Sequence, residues 1–238
     1  MTALAILPLD DGIVVACDAA LYDPRDGTLV GLTSKVALVP EWNCIIAQRG
    51  VGLFLQAVRY QLSALGVSSF DEAIGSAIEA ATEVHGQFFG DEEGQWSLFL
   101  AGRSEERAAF EVWTLRSTEF QYRDENETLK TVAPFTLHPL TGFYCAPSPT
   151  AEALEKVGLS GTLEFPTNVE EAQSFVTKIV AAARQKTDEN GFYNVGGFLQ
   201  SSMLFKDTAV SSIVHRWPDT VGKPIDPSLD LPLPKFGE

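Results

Sequence analysis

The first 35 residues, MTALAILPLDDGIVVACDAALYDPRDGTLVGLTSK (residues 1–35), contain the stretch that decides the fold. Two apolar runs, residues 2–7 and 13–17, flank a turn sequence that ends in Asp11-Gly12. An Asp-Gly pair between apolar runs is a strong hairpin signal. The second run contains no polar residue, which predicts a strand buried on both faces. The chain is therefore expected to open with a hairpin whose first strand starts almost at the N-terminus.

Thr2 becomes the first residue if Met1 is removed, and it then carries a hydroxyl and an α-amino group together. Threonine and serine hydroxyls are weak nucleophiles that need a base within hydrogen-bonding reach. A free α-amino group has a pKa of about 7.7–8.0, so a fraction of it is neutral near pH 7 and accepts the hydroxyl proton. Thr2 is thus a candidate nucleophile, although small second residues also accompany Met removal in proteins without such chemistry.

Asp18 and Lys35 are the charged residues that fit this candidate site. Asp18 ends the apolar run of the second strand, where a carboxylate is costly unless it is paired. Lys35 starts the next apolar run after a loop rich in turn residues. If the first strands are neighbours, the two side chains form a pair beside Thr2, and the alternative is an ordinary ion pair at a strand end.

The remaining elements are predicted from periodicity and capping signals. Four strands are expected up to residue 47, followed by a helix over residues 53–65 and a second helix that begins with the capping box Ser69–Glu72. Strands follow at residues 97–101, 108–115 and 118–122, with a short candidate at 142–145. Two more helices are expected, at 149–157 with Ser148 as N-cap and from Asn168 to about residue 190. The last strands are expected at 198–205 and 209–214, which gives one domain, residues 1–215, and a Pro-rich extended tail, residues 216–238.

Composition narrows the function classes. The net charge of −15 disfavours nucleic acid and anionic membrane surfaces as partners, and no apolar run is long enough to span a bilayer. Three cysteines and the lack of a secretory signal indicate a reducing cytoplasm. The three histidines are scattered without metal-ligand spacing and there is no phosphate-binding loop, so no metal and no cofactor are expected.

The residues Thr2, Asp18 and Lys35 carry a resemblance to a known family. In their spacing the chain resembles the proteasome β-type subunits, threonine peptidases of the N-terminal-nucleophile hydrolase fold, and above all the minimal bacterial forms that start Met-Thr without a propeptide. The register from Thr2 to Asp18 matches the family without a gap, whereas Lys35 comes one residue later than the family's lysine. The resemblance extends weakly to residues 45–52, 98–102, 112–115 and 195–200.

The resemblance implies an α+β fold, a four-layer αββα sandwich, and a self-assembled homo-oligomer, a ring or similar, that takes a peptide or protein substrate. An ATP-dependent unfoldase is a conceivable partner that the residues do not specify. Two of three supporting positions, Gln48 and Ser148, depart from the family, and the third, Asp188, matches it. Gln48 stands where a glycine usually donates its backbone N–H to the oxyanion, Ser148 stands in a Pro-flanked loop, and Asp188 is the counterpart of a supporting aspartate. For Ser148 and Asp188 an N-cap and a solvated helix end are the alternatives.

Three functions remain open at this point. The first is peptide-bond hydrolysis, in which Thr2 attacks the carbonyl, Lys35 supplies positive charge, Asp18 orients Lys35 and the Gln48 N–H holds the oxyanion. The second is a catalytically inactive structural or scaffold homologue, which the Gln48 and Ser148 departures favour. The third is an N-terminal-nucleophile amidase that acts on a small amide.

Overall fold

The computed structural model describes residues 2–90, 94–123, 126–159, 161, 163–230 and 233 of the chain. These residues form two units: unit one consists of residues 1–38 and 142–238, and unit two of residues 39–141. The fold is α+β, and every strand pair with a described register is antiparallel. The elements in chain order are β1 (Leu4–Leu9), β2 (Gly12–Asp18), β3 (Ala20–Tyr22), β4 (Leu29–Leu32), β5 (Val36–Val39), β6 (Cys44–Arg49), α1 (Phe54–Ala64), α2 (Phe70–Phe89), β7 (Ser97–Ser104), β8 (Ala109–Arg116), β9 (Phe120–Arg123), β10 (Leu129–Val132), β11 (His138–Pro139), β12 (Tyr144–Ala146), α3 (Ala151–Lys156), α4 (Val169–Ala183), β13 (Phe198–Phe205) and β14 (Ala209–Arg216).

The sheet of unit one has the strand order β12-β1-β2-β13-β14. The predicted hairpin is confirmed: β1 and β2 pair from Leu4 opposite Cys17 to Leu9 opposite Gly12, with a two-residue turn between them. Every residue of β2 is buried, as its uninterrupted apolar sequence predicts. A Cβ at Gly12 would lie 2.6 Å from the Leu204 carbonyl oxygen, so glycine permits the close approach of β13.

Helix α4 packs against β1, β2 and β13 and buries an apolar stripe on them. Asn168 caps its start by accepting the Glu171 N–H, as the sequence predicts. The predicted end near residue 190 is wrong, because α4 ends at Ala183. The apolar repeat stops there, and the following sequence RQKTDEN has no apolar residue that could hold another turn of helix against the sheet.

Two parts of unit one lie outside the predicted elements. Residues 20–32 form the β3–β4 hairpin, whereas the sequence predicts a loop there. In the C-terminal segment, Pro224 forms an isolated antiparallel β-bridge with Thr28, and a short 3-10 helix spans Pro227–Leu229. The prediction of an extended tail is therefore wrong for that turn. The end of the predicted tail, with Pro232 and Pro234, lies outside the described residues.

A second five-stranded sheet has the order β11-β8-β7-β6-β5, and the strands β6, β7, β8 and β11 belong to unit two. Helices α1 and α2 pack on each other, on β6 and on β7. The Ser69 hydroxyl accepts the Glu72 N–H at the start of α2, which confirms the predicted N-cap. Phe54 stacks on Trp96 with their ring centroids 4.4 Å apart and closes the core beneath α1. No helix among the described residues combines the length and the apolar character needed to cross a bilayer.

Candidate active site

Asp18 lies at the C-terminal end of β2, and its carboxylate accepts hydrogen bonds from three backbone amides. The Ala3 N–H donates to Oδ1 at 2.8 Å, and the Ala20 and Gly196 N–H groups donate to Oδ2 at 3.0 and 3.3 Å. The residue is 1% exposed, so these bonds offset much of the cost of removing a charge from water. The strand end thus holds the carboxylate in one fixed place.

Lys35 supplies the opposite charge. It precedes β5, and its Nζ lies 3.1 Å from both Asp18 carboxylate oxygens. Neither side chain exposes more than 3% of its surface. The ion pair expected from the sequence therefore forms, and it is desolvated, which is the arrangement in which removal of one partner is most costly.

Thr2 precedes β1 and is 4% exposed. The peptide group that joins Thr2 to Ala3 donates its N–H to Asp18, and Ala3 in turn accepts the Asp18 N–H at 3.2 Å. Thr2 is thereby anchored one peptide bond from the buried ion pair. Met1, whose removal the chemistry of Thr2 requires, lies outside the described residues.

Gln48 belongs to unit two, where it is the fifth residue of β6 and is 1% exposed. Its side-chain amide donates to the Val51 and Gly52 carbonyls at 2.9 and 3.2 Å, and its oxygen accepts the Leu55 N–H. Leu53, the residue before α1, makes no side-chain capping bond. Gln48 therefore satisfies an N–H in the first turn of α1 from outside the helix, which explains a large polar side chain at this buried position.

Ser148 lies exposed in the loop after β12. The predicted N-cap role is wrong, because α3 begins at Ala151 and its cap is Thr150, whose hydroxyl accepts the Ala153 N–H. The Ser148 carbonyl accepts a hydrogen bond from Lys186 at 3.3 Å. Burial raises the pKa of the nearby Cys145 thiol, and a hydrogen bond with Ser148 partly opposes this rise.

Asp188 organises a turn after α4. Its Oδ1 accepts the N–H groups of Asn190 and Phe192, both at 2.9 Å, and its Oδ2 accepts from the Asn194 side chain at 2.9 Å. The residue is half-buried and belongs to a turn closed by a bridge between Thr187 and Tyr193. The structure thus brings Asp18, Lys35 and the Thr2–Ala3 peptide together, whereas the described hydrogen bonds of Ser148 and Asp188 go to other loop residues.

Sequence reasoning missed a second buried charge cluster in unit one. Arg184, fully buried after α4, forms ion pairs with Asp219 and Asp230 from the C-terminal segment. Burial lowers the pKa of Arg184, but the hydrogen bonds that it donates to Asp230 and Asp219 outweigh this effect, and the pKa lies above its ordinary value. The one feature of the sequence that points to this cluster is an arginine directly after the apolar run of α4, where a buried charge needs a partner. Among the described residues no three His, Cys, Asp or Glu side chains are grouped as metal ligands.

Comparisons with known proteins find similarity in fold. No protein-family profile matches the sequence, and no curated protein matches it. The structure is similar to Anbu (ancestral beta-subunit) from Yersinia bercovieri, with a TM-score of 0.60 and 13% identity over 90% of this chain and 88% of that chain. A mutant of Anbu from Hyphomicrobium sp. strain MC1 gives a TM-score of 0.56 and 12% identity over 91% of this chain and 90% of that chain.

These comparisons correct the family expected from Thr2, Asp18 and Lys35. The prediction that the chain is a proteasome β-type subunit is wrong, because no family profile matches it and the similar structures named above are Anbu proteins. Identities of 13% and 12% show a shared fold alone. The chain therefore has the proteasome-like α+β fold that these Anbu structures share.

Proposed function

We propose that the chain is an N-terminal threonine hydrolase that cleaves peptide bonds in the cytoplasm, within a self-assembled homo-oligomer, after loss of Met1. The observation that carries the proposal is the convergence of the Ala3 N–H and Lys35 Nζ on one oxygen of the buried Asp18 carboxylate. The two donors lie 2.8 and 3.1 Å from that oxygen. This convergence ties the peptide group of Thr2 to a desolvated positive charge, which favours a neutral amine and a negatively charged transition state.

In the proposed reaction, the Thr2 hydroxyl passes its proton to the α-amino group of the same residue and its oxygen attacks the substrate carbonyl carbon. The C–N bond breaks, the leaving amine takes the proton from the ammonium group, and the acyl group remains on Thr2 as an ester. Water, deprotonated by the same amine, then hydrolyses the ester. The Gln48 N–H is the proposed oxyanion donor, and Ser148 and Asp188 are the proposed supporting residues of the site.

The assembly is part of the same proposal. Large apolar side chains are exposed on and beside α1, with Leu53 62% and Tyr60 74% exposed, as on surfaces that bind another copy. Each unit also has helices packed on an antiparallel sheet, which supports a four-layer αββα sandwich for residues 1–215 with residues 216–238 as its tail. An experimental structure of the assembled particle tests both the homo-oligomer and the four-layer order. A monomer, or a different order of layers, contradicts the proposal.

The test of the chemistry begins with intact-mass measurement, which should show loss of Met1. Thr2→Ala should then reduce hydrolysis of short fluorogenic peptides at least ~10³-fold, because it removes the attacking oxygen. Thr2→Ser should keep measurable activity, since serine retains a hydroxyl beside the amine. The matched control is Thr82→Ala, an exposed threonine on α2, which should leave the rate unchanged. Complete retention of Met1, or full activity in Thr2→Ala, contradicts the proposal.

The second candidate is a catalytically inactive scaffold of the same fold. The side chain of Gln48 favours it, because the position at which the resemblance implies glycine is here committed to the start of α1. Under this alternative, a protein that has lost Met1 and is fully assembled hydrolyses no peptide, and Thr2→Ala changes neither the removal of Met1 nor the assembly. The small-amide hydrolase differs from both, because it turns over small amides and leaves peptides intact.

A further inference from the structure

Arg184 is the centre of a fully satisfied buried cluster. A guanidinium has five N–H donors, and all five have a partner. Nε and one Nη2 hydrogen bind Asp230 at 2.7 Å each, and the remaining donors bind both Asp219 oxygens, at 3.0 and 2.8 Å, and the Val195 carbonyl, at 2.7 Å. The guanidinium carbon also lies 4.9 Å from the centroid of the Trp217 ring. The cluster therefore joins the end of α4, the strand entry at Val195 and the C-terminal segment.

The two carboxylates of this cluster are not equivalent. Asp230 accepts its described hydrogen bonds from Arg184. Asp219 binds Arg184 as well, but its Oδ2 also accepts the Gly197 N–H at 2.7 Å. A Cβ at Gly196 would lie 2.5 Å from the same oxygen, so the backbone approaches this carboxylate as closely as a glycine allows. Asp219 thus connects the charge cluster to the peptide group between Gly196 and Gly197.

The same backbone segment contacts Asp18. The Gly196 N–H donates to Asp18 Oδ2 at 3.3 Å, and the Gly196 carbonyl accepts the Ala19 N–H at 3.1 Å. Gly197 is held from the other side, because its carbonyl accepts the Trp217 N–H at 3.0 Å. A displacement of Gly196 would therefore be transmitted to the carboxylate that binds Lys35.

We propose that Asp219 is a positioning residue of the Thr2 site: oriented by Arg184, it fixes Gly196 and Gly197 so that the Gly196 N–H meets Asp18. This inference rests on the proposed function. Asp230 shares the arginine but not the backbone contact, so it fastens the C-terminal segment without acting on Asp18. Errors of about 1 Å in a catalytic arrangement cost on the order of 100-fold in rate, so a loosened Gly196 should be visible in kcat.

The experiment compares Asp219→Ala, Asp219→Asn and Asp230→Ala in the assembled protein, with a fluorogenic peptide as substrate. Asp219→Ala should lower kcat about 10- to 100-fold and leave KM within about twofold. Asp230→Ala should lower the melting temperature about as much as Asp219→Ala does, but it should keep kcat within about twofold of the wild-type value. Asp219→Asn keeps an oxygen for the Gly197 N–H and should recover most of the lost kcat. Equal kcat losses in the two alanine variants, or no recovery in Asp219→Asn, overturn the proposal.

A second measurement separates this inference from the proposed function. Hydrogen exchange of the amides in residues 195–199 should accelerate at least about tenfold in Asp219→Ala and less than about twofold in Asp230→Ala. This readout needs no turnover. A wild-type protein that hydrolyses nothing refutes the proposed function. The difference in exchange between the two alanine variants then decides by itself whether Asp219 holds Gly196 and Gly197 in place, which is the link between Asp219 and Asp18. Equal exchange in the two alanine variants overturns the link whether or not the protein is active.

Discussion

The two units differ in the burial of their charged side chains: among the described residues, the buried ones all belong to unit one. In unit one, Asp18 and Lys35 form one buried ion pair, and the buried Arg184 pairs separately with Asp219 and Asp230. Among the described residues of unit two, the ion pair between Arg107 and Asp71 lies at the surface, where Arg107 has 44% of its side chain exposed and binds Asp71 at 2.7 Å. Exposed pairs of this kind contribute about 0–1 kcal/mol to stability. The described ion pairs of unit two thus add little to its stability beside its aromatic and aliphatic core.

The difference indicates what the buried pair of unit one is for. Replacing a buried ion pair by well-packed apolar residues is often neutral or stabilising, so stability alone does not explain Asp18 and Lys35. The Asp18 carboxylate also binds the N–H of the Thr2–Ala3 peptide group, beside the candidate nucleophile, whereas Asp71 binds the N–H groups of Glu105 and Glu106 in a turn. A role beyond stability in unit one is the simplest account of this contrast.

The largest expected effect comes from breaking the buried pair. Lys35→Met leaves the Asp18 carboxylate buried without a cation and should lower the free energy of unfolding by about 3–5 kcal/mol. Arg107→Met in unit two should cost less than about 1 kcal/mol. Urea unfolding followed by tryptophan fluorescence measures both, with Trp217 reporting from unit one.

A double variant sharpens this comparison. Asp18→Asn in the Lys35→Met background removes the uncompensated charge but keeps a side-chain oxygen for the amides that bind Asp18. Part of the lost stability should return. If Lys35→Met and Arg107→Met cost the same, the contrast between the units is wrong.

The sequence predicted the elements whose signals are local. The β1–β2 hairpin, α1 and the start of α2 follow from apolar runs, a turn pair and a capping residue within a few positions of each other. The β3–β4 hairpin has no such pattern, because Leu29 alone in β4 is fully buried and the loop between the strands is charged. The predicted end of α4 at about residue 190 is too late, because the helix ends at Ala183, where its apolar face ends.

The same distinction holds for the candidate site. A carboxylate that ends a wholly apolar strand needs a cation, so the Asp18–Lys35 pair could be predicted from residues 17 positions apart. Arg184 meets Asp219 and Asp230 across 35 and 46 positions. Both aspartates lie in a Pro-rich segment without periodicity, so nothing local predicts that they turn back onto α4. Long-range packing alone brings that cluster together.

An intermediate effect is expected from two glycines, one in each unit. In unit one, Gly196→Ala places a Cβ 2.5 Å from Asp219 Oδ2 and 2.9 Å from an Arg184 nitrogen, and should cost about 1–3 kcal/mol of stability. In unit two, Gly75→Ala lies in α2 with no atom within 4 Å of the added Cβ, and should gain about 0.5–1 kcal/mol. Thermal unfolding of the two variants should therefore shift in opposite directions. A Gly196→Ala protein as stable as the wild type contradicts the tight backbone contact.

The smallest expected effect tests whether buried polar groups in unit two serve only the fold. Gln48→Met keeps the length of the side chain but loses the bonds to the Leu55 N–H and the Val51 carbonyl, so it should cost about 1 kcal/mol, as for a lost helix cap. Gln87→Met, on the exposed face of α2, should change stability by less than about 0.5 kcal/mol. Amide exchange in the first turn of α1 should rise in Gln48→Met alone, because that turn loses its partner outside the helix. If exchange there is unchanged, the side chain of Gln48 is not retained for α1, and the helix start no longer explains why glutamine occupies this position.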